Sequence, residues 1–535
     1  MLWTQLSANE QASQNAAHRK QYCLVAAYLR QFDIENPLQA RAIASRESPN
    51  LIYAVRAAFE AGDPEAGEFV DDVNVFLIHL GFVKESDALI AKAIAESGAV
   101  GSKPWVLARS AHGDQLLAAG RVDEALAVFR AVLEALGDAP SYERAIALGR
   151  IGRCFSDGGQ PEMAALNAHD SIAIFDQIEQ THQAKRQRAV SLSDLGWSLQ
   201  QMGKYAEARG AYNEGLKLAK DLDYPRQQGV VLGLLGGLAI EEGKLSEAAD
   251  LIRSELEICQ RLGEPAGEAS ALHNLGVISL KSEQWDEAER YFREAARIKE
   301  QLGKLADAAT SWSNLALVTL ETGKQEAAEM WLRKTIEVDR KFRNPMELAP
   351  DLCNLARILK DIPSRLVEAR QLAEEALAIF TTLEPGVSQI WIIYIVLAEI
   401  AEKEAEMTRD SHIKAERQTQ AREYRRLARN AEYKFPGTRH DLQRVAPYIL
   451  AVVDACAGNP EARQAVADIQ RQLMEDGAEC QALSRAFDRT LAGERDEDVI
   501  CEGLSQSRAM ILKAILQGIS DPSSLKDLLP NEEQN

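Results

Sequence analysis

An all-α chain of stacked helix pairs is the fold class that this sequence predicts, and three observations predict it. The 535 residues are 46% hydrophobic and 27% charged, with 17 prolines, 33 glycines and 6% aromatics. That is apolar matter for a large core or several domains, with too little turn chemistry for a sandwich or barrel of many short strands. A small-residue pair recurs at a fixed period: Leu195-Gly196, Leu235-Gly236, Leu275-Gly276, Leu315-Ala316 and Leu355-Ala356 stand 40 residues apart. Within one period, Ser270 to Ala309, apolar residues fall at Leu272, Leu275, Val277 and Leu280, then at Ala288, Tyr291, Phe292, Ala295 and Ile298. This is the three-to-four spacing of two successive helices, and such pairs stacked on their neighbours make an α-solenoid.

Taken in order, Met1 to Leu80 read as helices without the repeat's punctuation, with apolar stripes at Leu24, Ala27, Tyr28 and Leu29 and at Leu51, Val55 and Phe59. They are expected to cap the array, whose terminal face would otherwise expose an apolar stripe. The turns Gly81-Phe82, Gly120-Arg121 and Gly159-Gln160 carry the pattern upstream of Gly203 with spacings of 39, 39 and 44 residues. In the regular part, a turn follows seven residues after the small residue, at Gly203-Lys204-Tyr205, Gly243-Lys244-Leu245, Glu283-Gln284-Trp285 and Gly323-Lys324-Gln325. A second small residue comes next, at Ala208, Ala248, Ala288, Ala328 and, after one inserted residue, Ala369. Helix axes that approach to about 8 Å exclude large side chains at the crossing, so these positions read as packing. A further pair runs from Trp391 to Tyr433, interrupted by the polar stretch Glu402 to Gln420. Beyond Pro436-Gly437 the pattern suggests four short helices and a mobile tail from Lys526 to Asn535. The expected organisation is a helical cap over 1–72, degenerate repeats over 73–187, regular repeats over 188–383, a degenerate pair over 384–436 and a helical region over 437–535.

The order Leu-Gly, Gly-Lys-Tyr, Glu-Ala, aromatic, best seen from Asp194-Leu195-Gly196 through Tyr212 and from Asn274-Leu275-Gly276 through Phe292, resembles tetratricopeptide repeats. The usual unit of that family is about 34 residues; this one is 40, ending in phrases such as Ile258-Cys259-Gln260-Arg261-Leu262-Gly263. Long units of this kind resemble those of kinesin light chains, Pins-type polarity scaffolds and the sensor domains of bacterial signalling NTPases of the STAND class. The resemblance is specific over Arg188 to Leu383 and weaker over Val73 to Gln187, and the leading helices resemble the arm that precedes the repeats in signalling NTPases. It implies a right-handed superhelix with helical caps at both ends, a role in protein–protein interaction or bacterial signalling, and a partner that is a protein or peptide.

Charge and composition exclude other classes. Sixty-one Lys and Arg against 81 Asp and Glu leave a formal charge of −20, which repels phosphate backbones and anionic lipid. No nucleic acid or membrane partner is expected. The start, Met1-Leu2-Trp3-Thr4-Gln5, lacks a leader pattern, and the longest strongly apolar segment, Ile390 to Ile400, is too short to span a bilayer. The seven cysteines are odd in number, scattered and never in a Cys-x-x-Cys, consistent with buried thiols in a reducing, cytoplasmic setting.

Few constellations could carry chemistry. A phosphate loop, a paired-glycine dinucleotide turn and His-Glu-x-x-His are absent from the sequence. His273, Asn274 and Cys353 hold the parts of a cysteine hydrolase. Two repeats of offset nevertheless put the thiol and imidazole on the order of 20 Å apart. His18, His79, His112, His169, His182, His412 and His440 have no ligand spacing, so no metal, cofactor or catalytic residue is expected. The basic run Arg417, Arg422, Arg425, Arg426, Arg429 and Lys434, interleaved with Glu416, Glu423 and Glu432, reads as a solvated helix face laced with ion pairs. The other readings are contact with an acidic partner or with RNA.

The residue before each small pair is Asp194, Leu234, Asn274, Asn314 or Asn354. In the family this place lies on the inner surface, and its Asn often bonds the backbone of an extended peptide. A carboxamide can accept from N–H and donate to C=O, so a ladder of them would hold a main chain of any sequence, with Leu234 interrupting it. The alternative is that these side chains bond neighbouring helices and set the curvature. About one turn away Trp197, Val277, Leu317 and Arg357 would supply pockets and a charge, and His273 adjoins Asn274. The expected function is a non-enzymatic adaptor or sensor binding a partner peptide or helix on a concave face. The alternative is a regulatory subunit or detached sensor region of an effector enzyme, either a signalling NTPase or a caspase-like protease.

Overall fold

The period-40 pattern folds as helix pairs. The computed structural model describes residues 7–63, 65–342, 345–382, 390–434, 436–475 and 477–528, and among them no strand occurs. The expected boundary between Leu383 and Glu384, the stretch Met1 to Gln5 and the tail beyond 528 lie outside the described residues.

Two compact units divide at Lys304 and Leu305. The first opens with two long helices, α1 (Ala8–Glu35) and α2 (Pro37–Glu60), and continues as six pairs. These are α3 (Ala66–His79) with α4 (Val83–Ala95), α5 (Lys103–Ala118) with α6 (Val122–Leu136), and α7 (Tyr142–Asp157) with α8 (Pro161–Gln177). Then come α9 (His182–Gln201) with α10 (Tyr205–Asp221), α11 (Pro225–Glu241) with α12 (Leu245–Leu262), and α13 (Pro265–Lys281) with α14 (Trp285–Gln301). The second unit holds α15 (Leu305–Glu321) with α16 (Gln325–Phe342), α17 (Pro345–Leu359) with α18 (Leu366–Phe380), and α19 (Ile390–Met407) with α20 (Ser411–Tyr433). Six helices follow: α21 (Pro436–Arg444), α22 (Ala446–Cys456), α23 (Pro460–Glu475), α24 (Ala478–Leu491), α25 (Glu497–Ile500) and α26 (Gln506–Ser520). Within each unit, members of a pair pack on each other and each pair packs on the next, which is an α-solenoid arrangement.

Local chemistry explains the starts and stops. A reciprocal capping box between Ser7 and Glu10 opens α1. Helices α8, α11 and α13 begin at Pro161, Pro225 and Pro265, where a missing N–H loses nothing. Between the two helices of a pair the backbone turns left-handed, at Gly203, Gly243 and Gly323 with φ of 73°, 74° and 74°. At the matching position Glu283 adopts φ 56° despite its Cβ. Glu283→Gly is therefore expected to raise the thermal midpoint by relieving about 1 kcal/mol of strain; an unchanged or lower midpoint in a calorimetric scan would refute this.

The small residues face large ones sixteen positions on. A Cβ added to Gly113, Gly196 or Gly276 would lie 2.5, 2.5 or 2.7 Å from ring carbons of Phe129, Tyr212 and Phe292. At Gly236 it would fall inside the side chain of Ile252. Where the small residue is Ala316, the sixteenth residue is Leu332 in the same buried cluster. Volume is exchanged within each pair, as close packing requires.

The flanks differ from expectation in detail. In α1 the buried side carries Ala26 and Leu29, whereas Leu24 and Tyr28 are 65% and 62% exposed, because α1 meets α2 and α3 through the opposite face. In α2 the expected Leu51, Val55 and Phe59 are buried. The polar stretch 402–420 does not break structure but forms the turn of a helical hairpin pinned by ion pairs. Arg425 bonds Glu402 at 2.8 Å, and Arg370 and Arg417 bond Glu404 at 2.6 and 3.0 Å. Arg429 is buried and joins α20 to Glu497 and Asp498 of α25. Three members of the basic run are thus engaged inside the second unit. Where four C-terminal helices are expected, the described residues hold six, and Lys526 to Leu528 end a 3-10 helix (Pro522–Leu528) whose Leu525 sits buried over Gly518.

Candidate partner-binding face

The first helix of each pair offers its free stripe at the same register. Positions 230, 234 and 237 in α11, 270, 274 and 277 in α13, 310, 314 and 317 in α15, and 350, 354 and 357 in α17 are all exposed or half-buried. A spacing of four and three residues keeps them on one helix face. The neighbours at 235, 275, 315 and 355 are buried.

Asn274 in the first unit, and Asn314 and Asn354 in the second, are half-buried. None of the three makes a hydrogen bond to another described residue. Val277 and Leu317 beside them are half-buried, and Arg357 is exposed with no ion pair among the described residues. His273 is directed elsewhere. Its ring stands edge-on to Phe292 of α14 with centroids 5.3 Å apart, and burial, helped by Lys299, pushes its imidazole down to about 3. Burial likewise pushes the Cys353 thiol up to about 12. A neutral imidazole that resists protonation and a thiol that resists ionisation are a poor base and a poor nucleophile.

Asp194 departs from the Asn pattern. Its Oδ2 accepts from Arg153 Nε at 3.0 Å, and burial raises its carboxyl pKa although the Arg153 charge opposes the shift. Trp197, 41% exposed, lies beside that pair on the wall of a cleft of about 220 Å³, with Ser156, Asp157 and Ser198 on the other sides. One pair earlier, Arg150 grips Asp114 through two bonds of 2.9 and 2.6 Å. Sequence reasoning missed Arg150 and Arg153. They occupy the register of Asp194 and Trp197 once the 44-residue spacing of that repeat is applied, which was the signal available. Along the first unit the same place therefore passes from Arg150 to Asp194, Leu234 and Asn274, from charged pairing to an open carboxamide.

Among the described residues no group of three or more His, Cys, Asp or Glu side chains could hold a metal ion, and no helix is long and apolar enough to cross a membrane. All seven cysteines are free thiols, four buried and three half-buried.

Tetratricopeptide-repeat family models match residues 110–172, 188–222, 227–301 and 267–341. A search of curated protein sequences returns no match. Among solved structures, the chain resembles a signal transduction ATPase with numerous domains from Pyrococcus horikoshii that has a tetratricopeptide repeat sensor. There the identity is 15% and the TM-score 0.51, over 68% of this chain and 52% of that one, so this chain spans about half of that protein. It also resembles the apo quorum sensor NprR from B. thuringiensis, at 13% identity and TM-score 0.48 over 68% of this chain and 98% of that one. A Rap protein complexed with competence and sporulation factor matches at 16% identity and TM-score 0.45, over 64% of this chain and all of that one (100%). With the helix pairs, their glycine-to-aromatic packing and the matched models together, residues 110–172, 188–222 and 227–341 are tetratricopeptide repeats.

Proposed function

We propose that this protein is an interaction adaptor or sensor that holds an extended peptide segment, or a helix, of a partner protein on the concave, first-helix face of its repeats. The observations that carry this reading are Asn274 in the first unit and Asn314 with Asn354 in the second, each half-buried at the same position of its helix pair and making no hydrogen bond to another described residue. Side chains that set curvature would bond the neighbouring helix; these leave a donor and an acceptor apiece unused, as contacts to a main chain require. Val277 and Leu317 would supply shallow apolar pockets, Trp197 and the Arg153–Asp194 pair a polar cleft, and Arg357 a positive charge that selects among partners. His273 would act only from behind Asn274, through its packing on Phe292. The free thiols fit a reducing cytoplasm.

A second reading has the chain as the sensor part of a two-protein system with a signalling NTPase. It draws on the Pyrococcus horikoshii protein, whose repeats are described as a sensor. Co-purification of an ATPase with the tagged chain separates the two readings.

Affinity capture with the tagged full chain, followed by mass spectrometry, identifies the partner to be titrated. Changing Asn274, Asn314 and Asn354 together to Ala should then leave the far-ultraviolet spectrum and melting midpoint near wild type and weaken binding. Each lost bond is worth about 0.5 to 1.5 kcal/mol, so three imply a loss of roughly tenfold to a thousandfold. A triple variant that unfolds, or that binds the partner at full strength, would move the contact surface to the loops, the second helices or the C-terminal region.

A further inference from the structure

The tip of the α1–α2 hairpin does not end in solvent. Asp33 near the end of α1 and Arg41 in the first turns of α2 meet Arg226 at the start of α11 and Glu264 just before α13, residues roughly two hundred positions further along the chain. Arg41 bonds Asp33 at 3.2 Å and Glu264 at 2.9 and 3.2 Å. Arg226 bonds Asp33 at 3.1 Å and Glu264 at 2.9 and 2.6 Å. Each guanidinium thus touches both carboxylates, in a closed ring of alternating sign whose Asp33 side chain is only 5% exposed. Beside the ring Leu38 occupies the space that a Cβ on residue 263 would need; Gly263, left-handed at φ 63°, is the residue that leaves it open.

The ring has a particular division of labour. Arg41 with Asp33 is a complete pair on the hairpin, and Arg226 with Glu264 is a complete pair on the repeats. Docking adds the two crossed pairs, Arg41 with Glu264 and Arg226 with Asp33. Undocking therefore leaves no charge without a partner, which removes the large penalty that normally locks a buried ion pair in place. Beside the ring, Leu38 packs on Gly263. The hairpin body, by contrast, is anchored to α3 and α4 through a continuous apolar cluster containing Leu29, Leu51, Val55 and Phe69. Its helices have 28 and 24 residues, against 13 to 20 for the others of the first unit. At about 1.5 Å per residue the longer one reaches about 42 Å, which carries the hairpin tip to the residues at the starts of α11 and α13.

We propose that the face formed by Arg226, Gly263 and Glu264 is a docking surface for the chain's own hairpin tip, and that the hairpin is a releasable strap closing the first unit. A firm base, a reach longer than the repeat helices and a self-neutralising contact at the far end are the parts of such a device. Whatever binds the starts of α11 or α13 competes with the strap, and whatever binds across the closed loop holds it shut.

The test is a charge exchange read by hydrogen–deuterium exchange on the full chain. Arg41→Glu or Glu264→Arg alone breaks one crossed pair and sets like charges against each other in one half. Each single variant should raise amide exchange around residues 30–42 and 260–266 by about tenfold or more, with exchange in α7 to α10 unchanged as the control for folding. The double variant Arg41→Glu with Glu264→Arg puts two acids on the tip and two guanidinium groups on the repeats, so only docking neutralises either half. Its exchange should return to wild type or below. Single variants that leave both segments protected overturn the proposal, and so does a double variant that stays as open as the singles.

Discussion

Gly276→Leu is expected to be among the most damaging single substitutions in the repeats. A Cβ at that position would stand 2.7 and 2.8 Å from Cε1 and Cδ1 of Phe292, a fully buried ring on the facing helix α14. Neither group can retreat without parting α13 from α14, and overpacking of this kind costs about 1 to 3 kcal/mol, more where backbone must move. Gly276→Ala isolates the cause. In an unobstructed helix that exchange gains about 1 kcal/mol of propensity, so any loss of stability measures the collision with Phe292. Adding Phe292→Leu recreates the combination found at Ala316 and Leu332, and should restore most of the urea midpoint followed by circular dichroism. A midpoint unmoved by Gly276→Ala would mean that the sixteen-residue partnership does not govern packing.

The second large effect concerns pH. Glu255 in α12 is 7% exposed, faces Gly233 of α11, and has Oε2 without a hydrogen-bond partner. Burial raises its carboxyl from 4.5 to about 8. A folded-state pKa above the unfolded value means that the protonated group is the one tolerated. Its contribution is therefore intact below about pH 4.5 and is lost as pH climbs toward 8, at about 1.4 kcal/mol per unit. Glu255→Gln should match wild type near pH 4 and exceed it at pH 7 by on the order of 3 kcal/mol, with a shallower dependence of stability on pH between them. Urea unfolding at a series of pH values reads this directly. Parallel curves for the two proteins would show that Glu255 is ionised and solvated in the folded chain.

Much of the fold was legible because its determinants are local. The repeat period, the left-handed turn at Gly203, Gly243 and Gly323, the prolines at helix starts and the small residues at 196, 236, 276, 316 and 356 all act within one helix pair. The stripe carrying Asn274, Asn314 and Asn354 followed from the same register. Glu255 was not legible: in Arg253-Ser254-Glu255-Leu256-Glu257 it reads like any solvated glutamate, and its burial depends on Gly233, which lies in the preceding helix and offers no side chain to fill the gap.

What the sequence by itself determined was the pairing of helices, since a helix pair closes its own hydrophobic seam and repeats the solution every 40 residues. Tertiary structure alone decided which polar residues on those helices are free. Asp194 and Asn274 hold one register, yet Asp194 is engaged because Arg153 lies on the neighbouring first helix, and Asn274 is open because no described residue answers it. Tertiary structure alone also brought Asp33 and Arg41 to Arg226 and Glu264. Periodicity describes what neighbours in the chain do to one another. A contact across some two hundred residues is set by the length and direction of every element between, and leaves no mark on the spacing of either end.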